Sequence, residues 1–292
     1  DNTITISSDI VNFTQSGEKS INHIAEFNNK LYLSTPFAIV VYDIEKLEFG
    51  DTYFIGNGSS SVKINQTAIF NNEIYAATED GIFKADVTSN LLIDFNNWQQ
   101  EFGSRNFNQI TTFNNQLFTT EGTRLYSFDG VNLTQENNFP QNIIRLVSSN
   151  TNLALAFNKS AVVLDLGLNQ IIEFSTNSDF DFTLNTVFFE NNTVFLGTKE
   201  FGVLTTIVAQ STSYVEIHPE GPMSNDVFSI TAQNNNLWVV YGGYNNFYGP
   251  SYRNQGYSRF DGEMWINTKF NPNYPVIDMN YISIDPNSEN RV

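Results

Sequence analysis

Apolar positions in this chain come in short β-branched and aromatic runs, in part alternating with polar ones, and Asn-Asn-x turns punctuate them. That is the pattern of strands joined by tight hairpins, because Asn tolerates the left-handed backbone such turns need. The phrase Ile21-Asn22-His23-Ile24-Ala25-Glu26-Phe27-Asn28-Asn29-Lys30-Leu31-Tyr32 returns as Ile64-Asn65-Gln66-Thr67-Ala68-Ile69-Phe70-Asn71-Asn72-Glu73-Ile74-Tyr75, and again as Asn108-Gln109-Ile110-Thr111-Thr112-Phe113-Asn114-Asn115-Gln116-Leu117-Phe118. Weaker copies surround Leu153, Val194 and Leu237. Anchored on Leu31, Ile74, Leu117, Leu153, Val194 and Leu237, the spacings are 43, 43, 36, 41 and 43.

Within a copy, a second punctuation such as Glu79-Asp80-Gly81 or Glu200-Phe201-Gly202 turns the chain into a third strand, for example Ile82-Phe83-Lys84-Ala85-Asp86. A more polar outer strand follows, read as Leu91-Leu92-Ile93-Asp94-Phe95 in one copy and Ile171-Ile172-Glu173-Phe174 in another. Four strands in a period of 40–45 residues mark a propeller blade, and no segment sustains a helical period. The prediction is an all-β chain: a β-propeller of four-stranded antiparallel blades, six complete between residues 21 and 266, plus two half-blades. Asp278-Met279-Asn280-Tyr281-Ile282-Ser283-Ile284 reads as an innermost strand, and Thr3-Ile4-Thr5-Ile6 with Ile10-Val11-Asn12-Phe13 as a third and fourth strand. The two halves either close a ring of seven or leave it open. Residues 1–292 read as a single propeller region, and a chain opening at Asp1 without a leader reads as an internal fragment of a longer multidomain protein.

Composition narrows the partners. Fourteen basic against 31 acidic residues give a formal charge of −17, which repels nucleic acid. Cysteine is absent, so there is no disulfide framework and no thiol nucleophile. The longest apolar runs, such as Phe37-Ala38-Ile39-Val40-Val41-Tyr42, are too short to span a bilayer as a helix.

Catalytic constellations are thin. His23 holds a repeat position filled by Gln66 and Gln109 in sister copies, and His218 precedes Pro219 in a loop. Asp80-Gly81, Asp129-Gly130 and Asp261-Gly262 recur between strands, where turn chemistry explains them. Asn177, Asp179 and Asp181 alternate as calcium ligands can, but Phe182 and Phe188 stand where a calcium loop needs Gly and Glu. The reading is no catalytic residue, no metal and no cofactor.

One copy is interrupted. Residues 241–257 insert an aromatic loop, and Tyr244, Phe247, Tyr248, Tyr252 and Arg253 are the candidate ligand- or partner-binding residues. Long loops on rigid scaffolds carry binding function, and Tyr and Arg are enriched in hot spots. The competing assignment is that these aromatics cover a neighbouring blade or a following domain.

The phrases Ile74-Tyr75-Ala76-Ala77-Thr78-Glu79-Asp80-Gly81-Ile82-Phe83 and Tyr257-Ser258-Arg259-Phe260-Asp261-Gly262-Glu263-Met264-Trp265 resemble the two-component-regulator propeller repeat of Bacteroidetes surface and sensor proteins. More narrowly, Ala38-Ile39-Val40-Val41-Tyr42-Asp43-Ile44, Asp51-Thr52-Tyr53-Phe54-Ile55-Gly56, Leu91-Leu92-Ile93-Asp94-Phe95-Asn96-Asn97-Trp98, Gly221-Pro222-Met223-Ser224-Asn225-Asp226-Val227 and Ile282-Ser283-Ile284-Asp285-Pro286 are similar to PorZ-type proteins of the type IX secretion system. That resemblance implies an exported protein of the periplasm or outer-membrane surface with no catalytic role. It implies a scaffold in an attachment complex with a sortase-like peptidase and outer-membrane barrel partners, supporting cargo processing and coupling to anionic lipopolysaccharide or another glycan. The alternative is a glycan-sensing ectodomain of a hybrid two-component histidine kinase. A polysaccharide lyase or glycosidase would need a polar catalytic cluster that the scarce histidines and turn-bound aspartates do not supply.

Overall fold

Both asparagines of four Asn-Asn pairs adopt left-handed backbone: φ is 49° and 58° at Asn28 and Asn29, 51° and 61° at Asn71 and Asn72, 47° and 56° at Asn114 and Asn115, and 49° and 66° at Asn191 and Asn192. These are the mirror-image turns whose twist matches the flanking strands, so each fixes a first-to-second-strand hairpin. The computed structural model describes residues 6–14, 17–217, 220–233, 235–283 and 285. Among the described residues six four-stranded antiparallel sheets follow one another, each with its strands paired in chain order. They are the predicted β-propeller blades.

The first blade comprises His23–Phe27, Lys30–Ser34, Ile39–Asp43 and Glu48–Tyr53; the second Ile64–Phe70, Glu73–Thr78, Gly81–Asp86 and Gln99–Glu101. The third comprises Gln109–Phe113, Gln116–Glu121, Arg124–Phe128 and Leu133–Asn138; the fourth Arg145–Ser148, Leu153–Ala156, Ser160–Leu164 and Gln170–Ser175. The fifth comprises Leu184–Glu190, Thr193–Thr198, Val203–Ile207 and Val215–Ile217; the sixth Ser229–Gln233, Asn236–Val240, Tyr257–Phe260 and Trp265–Thr268. The chain divides into two compact units, Asp1–Ile217 with five blades and His218–Val292 with the sixth.

In the first unit, consecutive blades touch through their innermost strands. The apolar layers between them are aromatic-rich: Tyr53 meets Trp98 at 6.2 Å, and Phe182 meets Tyr214 edge-on at 5.5 Å. Asparagine again does repeated work at the joints. Asn22 Nδ2 donates to the Ile64 carbonyl and Asn65 Nδ2 to the Phe107 carbonyl, each at 2.8 Å and each 42 residues along the chain. Each such bond contributes about 0.5–1.5 kcal/mol and fixes the spacing of neighbouring blades.

Three expected strands are replaced. Leu91-Leu92-Ile93-Asp94-Phe95 does not form the outer strand of the second blade, which is Gln99–Glu101 instead. Asp94 caps a short 3₁₀ turn by accepting from Asn96 N at 3.0 Å, and Trp98 Nε1 donates to the Leu92 carbonyl, so the segment coils to bury Leu92 and Trp98. Neither half-blade forms strands among the described residues. Asp9–Asn12 is a helical turn, and Phe13 stacks on Phe37 at 5.3 Å, so this segment lies against the first blade's core as a cap. Thr3, Ile4 and Thr5, and Ile284 at the other end, lie outside the described residues, as does His218. Over 278–283 the backbone makes no ladder, because Asp278 takes φ 51° and its side chain collects backbone amides.

Candidate functional site

The aromatic insertion links the second and third strands of the sixth blade, and it is braced rather than loose. Asn245 closes its tip: Oδ1 accepts from Phe247 N at 2.9 Å and Gly249 N at 3.1 Å, while its backbone exchanges bonds with Gly249 and Tyr248. This is an Asx turn, in which a short amide side chain stands in for a backbone carbonyl. At the base, glycine is required for close approach. A Cβ on Gly242 would lie 2.3 Å from the Asp278 backbone, and one on Gly243, at φ 136°, would lie 2.4 Å from the Phe228 ring.

Asp278 is the pin. Its carboxylate accepts from Ser251 Oγ at 2.7 Å, Tyr252 N at 2.8 Å and Arg253 N at 2.9 Å, and its own N–H donates to the Arg253 carbonyl at 2.8 Å. Desolvation works to raise its pKa, but the hydrogen bonds from Arg253, Ser251, Tyr252 and Gly243 outweigh it and hold the carboxyl below the usual range. The pin is therefore charged at neutral pH and is lost only as pH falls through that lowered value. Asp278→Ala is expected to speed hydrogen exchange at the Gly243, Tyr252 and Arg253 amides by about tenfold or more, leaving the Trp238 and Val239 amides protected. Unchanged exchange at the three would remove Asp278 from this role.

The five predicted residues separate into two groups. Tyr244 stacks on Tyr248 at 5.4 Å and meets Phe228 edge-on at 5.1 Å, so it is the half-buried foot of the cluster. Phe247, Tyr248 and Tyr252 are 90%, 83% and 73% exposed. Tyr248 and Tyr252 also hold left-handed backbone, φ 58° and 55°, which is costly for a bulky residue and is fixed here by the hydrogen bonds to Asn245 and Asp278. Arg253 faces elsewhere: its guanidinium pairs with Asp226 and reaches the Tyr241 carbonyl at 3.4 Å. Asp278 was invisible as a functional residue in the sequence, because its partners lie 25 or more positions upstream.

The other candidates have ordinary turn or core roles. Asp129 caps its turn by accepting from Val131 N and Asn132 N, and Asp261 does the same with Glu263 N and Met264 N; both carboxyls are held below their usual range by those amides. Asn177 Oδ1 accepts from Asp179 N and Phe180 N, while Asp181 pairs with Lys159. Among the described residues no group of three His, Asp or Glu side chains could hold a metal, and no helix is long and apolar enough to cross a membrane. His23 opens the first strand of the first blade, with its pKa pushed down to about 4 by burial and then by Arg145.

Comparison with known proteins gives the same architecture. Among curated proteins none matches the sequence. Of the solved structures, PorZ of Porphyromonas gingivalis, described as an essential bacterial surface component of the type IX secretion system, is 17% identical with a TM-score of 0.58, over 86% of this chain and 33% of its own. The extracellular domain of the hybrid two-component system BT4673 from B. thetaiotaomicron is 12% identical with a TM-score of 0.54, over 84% and 34%. YCF48 bound to D1 peptide is 12% identical with a TM-score of 0.51, over 85% and 81%. The chain thus spans about a third of the length of PorZ. Residues 1–99 match the family model of the PorZ N-terminal β-propeller domain of the type IX secretion system, and it is this propeller family that the chain resembles.

Proposed function

We propose that this chain is a non-catalytic β-propeller binding module of a cell-surface type IX secretion assembly, and that the braced insertion engages a partner of that assembly. The observation that carries the reading is the exposure of Phe247, Tyr248 and Tyr252 on a loop rigidified by Asn245 and Asp278. Exposed aromatics on a preorganised loop bind with little entropy to lose, and their faces suit protein side chains and sugar rings alike. The match of residues 1–99 supports the choice of assembly. In that setting the module is exported and acts beside a sortase-like peptidase and outer-membrane barrel proteins, supporting cargo processing and attachment to anionic lipopolysaccharide.

Replacing Tyr248 and Tyr252 together with Ala is expected to weaken binding to the purified peptidase or to anionic lipopolysaccharide by about tenfold or more. The melting temperature stays within about 2 °C, since neither ring is buried. Unchanged binding, or a large drop in stability, overturns the assignment. The fold shared with the BT4673 extracellular domain supports a second reading, a glycan-sensing ectodomain, which predicts binding of free oligosaccharide with no affinity for the secretion partners.

A further inference from the structure

Five residues occupy one register position in the first unit. His23, Gln66, Gln109, Arg145 and Thr186 stand opposite Ser34, Ala77, Thr120, Ala156 and Gly197 near the start of the innermost strands. Each lies eight residues before its blade's apolar anchor. They border two adjoining cavities, of about 870 and about 350 Å³, which share Asn22 and Arg145 in their walls.

The charge of these walls runs against that of the chain. Among the described residues the larger cavity is lined by Lys63, Arg105 and Arg145 but by a single carboxylate, Glu121, in a protein of net charge −17. Glu121 is already committed: it takes both Arg105 nitrogens at 2.9 and 2.8 Å and lies 3.7 Å from Arg124. Arg145 has no carboxylate partner among the described residues, and its side chain makes one hydrogen bond there, a long one of 3.5 Å to Gln109 Oε1. Burial works against its charge, so an uncompensated guanidinium here is costly. His23 and Gln66 line the smaller cavity, and two of their buried atoms, His23 Nδ1 and Gln66 Oε1, have no partner among the described residues; Gln66 is only 5% exposed. A cation with no carboxylate partner among the described residues thus sits beside two unanswered polar atoms.

We propose that this cavity binds a small hydroxylated carboxylate of the sugar-acid class, Arg145 receiving the carboxylate and His23 and Gln66 accepting from its hydroxyls. The planar guanidinium matches a carboxylate bidentately, and the hydroxyls supply the donors that the cavity wall lacks. The volume is that of ordinary small-molecule sites. The proposal is independent of the aromatic insertion.

The test is calorimetric titration of the whole chain at low ionic strength with glucuronate, glucose and inorganic phosphate. Glucuronate is expected to bind, with glucose and phosphate each weaker by about tenfold or more, since each lacks one half of the recognition. Arg145→Gln installs the side chain already found at 66 and 109, so it is expected to keep the melting temperature while losing glucuronate affinity by about tenfold or more. No glucuronate binding, equal binding by R145Q, or equal binding of glucose or phosphate overturns the proposal. Should R145Q fail to fold, the Arg145 side-chain NMR signal of the unaltered protein decides: it shifts on adding glucuronate but not glucose, and an unmoved signal overturns the proposal.

Discussion

Phe128→Ala lowers the stability of the first unit by about 3–5 kcal/mol, the range for a fully buried phenylalanine whose surroundings cannot collapse. Phe128 is wholly buried on the third strand of the third blade, where it meets Tyr75 of the second blade edge-on at 5.9 Å and Phe102 at 5.8 Å. It therefore joins two sheets. Both are held rigid by their own hydrogen-bond ladders, and Lys84 Nζ ties the second to the Gly130 carbonyl at 2.7 Å. The void cannot be closed by moving either sheet without breaking ladder bonds. Val131→Ala, three residues on and 63% exposed, serves as the control and is expected to cost no more than about 0.5 kcal/mol. Urea unfolding of both variants makes the comparison, and a loss below about 1 kcal/mol for Phe128→Ala would show that the blades are not coupled through this layer.

His23→Gln stabilises the protein in acid and not at neutral pH. Folding pushes the His23 pKa down to about 4 from an ordinary 6.5, through burial first and the Arg145 charge second. Below about pH 6.5 the unfolded chain binds a proton that the folded chain refuses, so the wild type loses stability as pH falls from 6.5 towards 4. At pH 5 the full shift corresponds to about 2 kcal/mol, and the partial exposure of the ring reduces this to about 1–2 kcal/mol. Glutamine, the residue at 66 and 109, does not titrate. The stability difference between variant and wild type is therefore expected to grow by about 1–2 kcal/mol between pH 7.5 and pH 5, read by denaturant unfolding at each pH. A difference that does not change with pH would mean that His23 ionises freely in place.

The site was legible in part. Tyr244, Phe247, Tyr248, Tyr252 and Arg253 stood out because they break a repeat, and breaks in a period are visible without coordinates. What binds the insertion down was not visible, since the Asp278 carboxylate meets Tyr252 and Arg253 only once the chain has returned to them. Arg145 leaves only a faint trace in the sequence. It lies eight residues before Leu153, as His23, Gln66 and Gln109 lie before Leu31, Ile74 and Leu117, but the fourth copy's phrase departs too far from the others to mark the position.

The amino-acid order alone determined the repeating blade, its four strands and its Asn-Asn hairpins, because strand alternation and left-handed turn chemistry act over a few neighbouring residues. It misassigned Leu91-Leu92-Ile93-Asp94-Phe95 and Ile10-Val11-Asn12-Phe13, whose apolar content suits a strand equally well as a coil folded onto a core. Tertiary structure chose between those outcomes, as it chose the partners of Asp278 and left Arg145 without a carboxylate partner among the described residues. Those choices depend on burial and on unpaired polar groups, which exist only when distant segments share one surface.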